Sequence, residues 1–118
     1  MPAIRALTAL LPDPSRAARS LSTVFGWSVE SDFGTFAALQ LPGDVPLWIN
    51  APADGEPATG NLVLHLTADD VDESFREAVA CGARAVRQPQ DMDYGERSAS
   101  VTVDDAPGLV FDFSRPLT

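Results

Sequence analysis

The sequence predicts an α+β fold made of two tandem βαβββ units forming a curved mixed sheet around a concave pocket, with the helices on the outer face. Three observations predict it. The order strand, Asp-containing turn, helix and glycine occurs twice: Asp13 to Gly26 spans 13 residues, and Asp69 to Gly82 also spans 13. A strand–turn–strand hairpin follows each helix, so that Leu47-Trp48-Ile49-Asn50 resembles Leu109-Val110-Phe111-Asp112, 62 residues later. Along most strands one face is aliphatic, while the other mixes small polar groups with a few aromatics.

The elements follow in order. Ile4 to Leu11 reads as the first strand. Asp13 then caps a helix whose apolar residues Ala17, Leu21, Val24 and Phe25 recur at helical spacing, and Gly26 closes it. A short strand is expected near Trp27 to Ser31, then Phe36 to Leu41, the turn Pro42-Gly43-Asp44, and Leu47 to Asn50. The stretch 51–60, rich in Pro, Gly and Ala, has the composition of a linker. The second unit repeats the plan: strand Leu62 to Thr67, helix face Val71, Phe75, Ala78 and Val79, glycine Gly82, then strands Arg84 to Gln88, Ser98 to Val103 and Leu109 to Phe113. The chain is thus read as a single domain, 1–118, with units 1–50 and 61–118 joined by 51–60. A half this small buries only about 60 % of its surface, so neither is expected to stand alone.

Composition narrows the function. The chain has 118 residues and is 45 % apolar, enough for a core. Its net charge of -9 argues against nucleic acid, which needs clustered basic residues, and favours a neutral or cationic ligand. No apolar run approaches the roughly 20 residues of a membrane span. The start, Met1-Pro2-Ala3-Ile4-Arg5, lacks the pattern of a signal peptide, and the lone Cys81 excludes an internal disulfide framework. A soluble, cytoplasmic protein is expected. Gly-rich phosphate loops and nucleophile elbows are absent.

The segment Tyr94-Gly95-Glu96-Arg97-Ser98, followed by Asp105-Ala106-Pro107-Gly108 and Leu109 to Phe113, resembles the vicinal oxygen chelate superfamily of glyoxalase I, extradiol dioxygenases and bleomycin-resistance proteins. Val63 to Asp72 is similar to that family's central strand and helix cap, and the resemblance covers nearly the whole chain. It implies a divalent metal held by the first and last strands of each half. Mapped here, those positions fall on Ala6, Val63, Asn50 and Asp112, of which only Asp112 is a good ligand. The expectation is no metal, no cofactor and no catalytic residue. His65, the sole histidine, could pair with Asp112 as acid and base, or be a hydrogen-bonded wall residue.

The resemblance then points to the superfamily's metal-free, dimeric drug-binding members. The implied function is non-catalytic sequestration of a small natural product or antibiotic, of the bleomycin or quinoxaline peptide kind, conferring resistance. The expected partners are an aromatic small molecule and a second copy of the chain. Phe36, Trp48 and Tyr94 are the candidate stacking surfaces, with Trp27 of ambiguous facing. Gln40, Asn50, His65, Ser100 and Asp112 are the polar anchors. The alternative is a lyase, isomerase or dioxygenase of the same superfamily with an atypical metal site.

Overall fold

The computed structural model describes residues 1, 3–55 and 57–118; Pro2, and Glu56 within the expected linker, lie outside the described residues. The chain divides into two compact units, Met1–Thr59 and Gly60–Thr118. The segment 51–60 is not free of the first unit. Thr59 donates its N–H to the Leu10 carbonyl at 2.8 Å, and its Oγ1 accepts from the Leu10 N–H at 2.7 Å.

The first unit runs β1 (Leu7–Leu10), α1 (Pro14–Phe25), β2 (Ser28–Asp32), β3 (Phe36–Gln40) and β4 (Leu47–Asn50). Its sheet order is β1-β4-β3-β2, with β1 parallel to β4 and the other pairs antiparallel. The first strand is shorter than expected and starts at Leu7, leaving Ile4 exposed. The Asp13 carboxylate accepts from the Arg16 N–H, and Pro14 occupies the first turn, where a missing N–H costs nothing. Ala17, Ala18 and Leu21 are fully buried, as are Ala9, Ala37, Leu39 and Ile49 on the sheet face beneath the helix. At Gly26 the chain turns left-handed, with φ 76°, and its N–H returns to the Ser22 carbonyl.

The second unit runs β5 (Leu62–Thr67), α2 (Val71–Ala80), β6 (Arg84–Asp91), β7 (Glu96–Thr102) and β8 (Leu109–Pro116). Its order, β5-β8-β7-β6, repeats the first. The helix cap is Asp70, one residue later than the Asp69 counted in the sequence pattern; its carboxylate accepts from the Glu73 N–H at 3.0 Å. Val71, Phe75 and Ala78 are buried against the sheet, whereas Val79, expected on that face, is 39 % exposed. Ala99, Val101, Leu109 and Phe111 form the sheet side of this core.

The repeat extends to backbone irregularities. Strands β2 and β3 slip register between Val29 and Ser31, and β6 and β7 slip between Ala85 and Arg87, 56 residues later in each case. The N–H of Leu11 reaches the Asn50 carbonyl just before α1, and that of Ala68 reaches the Ser114 carbonyl just before α2. These shared features align the units strand by strand. Row Thr8–Trp48–Ala38–Ser31 of the first sheet corresponds to row His65–Asp112–Ser100–Arg87 of the second. Asp112 therefore matches Trp48, and Asn50 matches Ser114. The sequence match of Asn50 with Asp112 is off by two residues. A two-residue slip along a strand leaves every side chain on its own face, so alternation alone does not detect it.

Candidate functional site

Each sheet has a second face, away from its helix, and the expected site residues divide between those two faces. In the first unit Phe36 stands opposite Asn50 in the ladder and meets Trp48 edge-on, with ring centroids 6.4 Å apart. Phe33, in the β2–β3 turn, stacks on Phe36 at 6.4 Å and is 76 % exposed. The Arg5 guanidinium lies over the Trp48 ring at 5.3 Å from its centroid. Phe33, Phe36 and Trp48 thus form an aromatic strip closed at one end by a cation. Gln40 sits apart from it, exposed and paired with Ser28 near the far end of β3. Trp27 is buried and stacked on Phe25 at 4.6 Å, so it belongs to the core.

In the second unit the structure brings His65, Ser100 and Asp112 into one cross-strand row, which Arg87 completes. Asp112 is 6 % exposed. Its Oδ1 accepts from the Ser98 hydroxyl at 2.6 Å, and Arg87 Nη2 donates to that same hydroxyl oxygen. Arg87 Nη2 also lies 3.7 Å from Asp112 Oδ1. On the other side, His65 Nδ1 is 3.2 Å from Asp112 Oδ2, with the imidazole 68 % exposed. Ser98 and Ser100 are buried. A carboxylate removed from water needs both a counter-charge and hydrogen-bond donors, and Arg87 on β6 and Ser98 on β7 supply them. Tyr94 is not part of this group. It lies in the exposed β6–β7 turn, beyond the Glu96–Pro116 pair that ends the ladder.

Arg87 is the member of this row that strand reading overlooks. Register slips between Ala85 and Arg87 and again between Arg87 and Gln90, so counting by twos along β6 loses the face there. An arginine on an edge strand also reads as a solvated side chain. Ser98 falls on the correct face by alternation, but nothing in its local pattern marks it as the donor to Asp112.

The residues present do not fit the family's metal. The positions where the resemblance implies ligands hold Ala6 and Asn50 in one unit and Val63 and Asp112 in the other, and the structural counterpart of Asp112 in the first unit is Trp48, so only Asp112 is a good ligand. Both oxygens of that carboxylate are engaged, and a guanidinium stands beside it. Among the described residues no group of three or more His, Cys, Asp or Glu gathers as a metal site requires.

Comparison with known proteins agrees with the architecture. The family model for the Glyoxalase-like domain matches residues 6–114. A glyoxalase/bleomycin resistance protein/dioxygenase from Nocardioides superposes with a TM-score of 0.82 at 18 % identity, covering 99 % of this chain and 85 % of that one. TioX from Micromonospora sp. ML1 is 26 % identical, with a TM-score of 0.74, and 98 % of this chain and 100 % of that chain are covered. TnmS3, an antibiotic binding protein from Streptomyces sp. CB03234, is 21 % identical, with a TM-score of 0.75 and coverage of 98 % and 97 %. No curated protein matches the sequence. No helix among the described residues is long and apolar enough to cross a membrane.

Proposed function

We propose that this chain, which belongs to the Glyoxalase-like domain family, binds a small aromatic natural product without transforming it, and protects its host by sequestering that molecule. The observation that carries this reading is the content of the two matched rows. At the structural counterpart of Asp112, one unit offers an aromatic surface at Trp48. The other offers a carboxylate already satisfied by Arg87 and Ser98. Neither row offers a Lewis-acid site, and both offer surface for a planar, partly polar ligand. The solved structure of TnmS3, described as an antibiotic binding protein, supports the ligand class. A net charge of -9 favours neutral or cationic compounds. Cytoplasmic, homodimeric sequestration is the form this reading takes.

The test is a fluorescence titration with a panel of aromatic peptide antibiotics. The chain has two tryptophans, and Trp27 is buried in the core, so a ligand on the second face reports through Trp48. We expect a saturable change in the wild type and binding about tenfold weaker in Trp48→Ala, the size of one aromatic contact of about 1.4 kcal/mol. The bound compound should be recovered unaltered. Turnover of the compound, or stoichiometric metal in protein purified without chelator, would overturn the reading in favour of a metal-dependent enzyme. Sedimentation at micromolar concentration reads the oligomeric state, and a monomer with bound drug would remove the dimer from the proposal.

A further inference from the structure

The second unit holds its one histidine in a defined relation to a buried carboxylate, and that relation specifies what the histidine can bind. A carboxylate is acceptor-only, so the imidazole nitrogen that faces it is the one that carries hydrogen. His65 Nδ1 is the nitrogen 3.2 Å from Asp112 Oδ2. That proximity favours the neutral tautomer with its proton on Nδ1, which leaves the lone pair on Nε2. Asp112 does not depend on His65 for its counter-charge. Ser98 donates to its other oxygen, and the Arg87 guanidinium lies 3.7 Å from that oxygen. The sheet thus answers the carboxylate from β6 and β7, leaving the imidazole free to act outward. It is 68 % exposed, and Val63, its neighbour along the same face of β5, is 45 % exposed. A lone-pair acceptor beside an apolar surface fits a hydroxyl carried on an aromatic ring.

We infer that His65 Nε2 is the acceptor for a phenolic hydroxyl of the ligand, with Asp112 as the residue that sets its tautomer and Arg87 and Ser98 as the groups that hold Asp112. A phenol is a stronger donor than an alcohol, and its ring supplies the apolar contact. This rests on the reading of the chain as a ligand-binding protein, and it adds the chemical group that the second unit would recognise. No bond is made or broken; the phenol keeps its proton in a hydrogen bond.

The sole histidine makes the test direct, because the only imidazole signals of the full chain belong to His65. Long-range proton–nitrogen correlation on uniformly 15N-labelled protein, above the midpoint of the imidazole's own titration, should show a protonated Nδ1 and a bare Nε2. Adding 4-methylphenol should then shift Nε2 saturably, while its methyl ether, 4-methylanisole, should not. In Asp112→Asn the phenol response should weaken at least fivefold. Should that variant not fold, His65→Gln read by backbone amide shifts around β5 serves instead, with the same loss expected. A bare Nδ1 with a protonated Nε2 in the wild type overturns the inference. Equal responses to phenol and ether, or no saturable response to the phenol, also overturn it. The tautomer is measured without any ligand, so this result stands apart from the Trp48 titration. A failed drug titration alongside the expected tautomer and phenol response would count against sequestration and leave the hydroxyl site in place.

Discussion

Arg97 on β7 donates from Nε and Nη2 to the two carboxylate oxygens of Asp72 on α2, at 2.6 and 2.9 Å, and from Nη1 to Asp91 on β6 at 2.9 Å. One side chain thus fastens a helix and an edge strand to the centre of the second sheet. This explains the arginine of the Tyr94-Gly95-Glu96-Arg97 motif as a structural residue. Hydrogen bonds from Arg97 hold the Asp72 carboxyl below the usual carboxylate range. A depressed carboxyl contributes stability above its unfolded value and loses it as pH falls through the folded one. Calorimetric melts from neutral to strongly acid pH should therefore show wild-type stability dropping below about pH 4. In Arg97→Met the melting temperature at pH 7 should be lower and that acid drop shallower; parallel curves for the two proteins would refute the assignment. At Trp48, the Arg5 cation covers one ring face. Arg5→Ala should change the tryptophan emission while costing no more than about 1 kcal/mol, as expected of an exposed cation–π contact.

At the scale of the element, β6 and its neighbours decide the chemistry of the second sheet. Ser98 links Arg87 to Asp112, so Ser98→Ala leaves a buried carboxylate oxygen without its hydroxyl donor. Denaturant unfolding should show a loss of about 1–3 kcal/mol, with unchanged cooperativity. Helix α1 makes a separate prediction. Gly26 has φ 76° with open space around a would-be Cβ, so Gly26→Ala should cost about 1 kcal/mol through backbone strain alone. The elements themselves were largely legible in the sequence, because Asp caps, closing glycines and alternating strands are local signals. Leu62 to Thr67 and Leu47 to Asn50 emerge with the expected bounds. Registers were less legible. The match of Asn50 to Asp112 failed because period-two patterns tolerate a slip of two. Arg87 was hidden because a bulge resets the count.

For the whole molecule, the excess of acid is a stability term as well as a ligand preference. With a net charge of -9, self-repulsion opposes the compact state, and added salt screens it. The melting temperature should rise between about 10 and 200 mM sodium chloride; no rise would indicate that Arg-centred pairs such as Arg84–Asp104 already balance the charge locally. The two-unit plan was visible from the sequence, because the same elements recur in the same order. The unlike chemistry of the two rows was not, since it depends on which strand neighbours meet. The shared register slip of the two sheets has one more consequence. Seven residues separate Ser31 from Ala38, and 13 separate their counterparts Arg87 and Ser100, a difference of six. Ten separate Ala38 from Trp48, and 12 separate Ser100 from Asp112, a difference of two. Both increments are even. Both hairpins of the second unit are thus longer than those of the first, while the rows stay matched. Residues added in the turns and bulges are absorbed outside the paired positions, so a repeat of this kind can diverge in hairpin length while each cross-strand row keeps its partners.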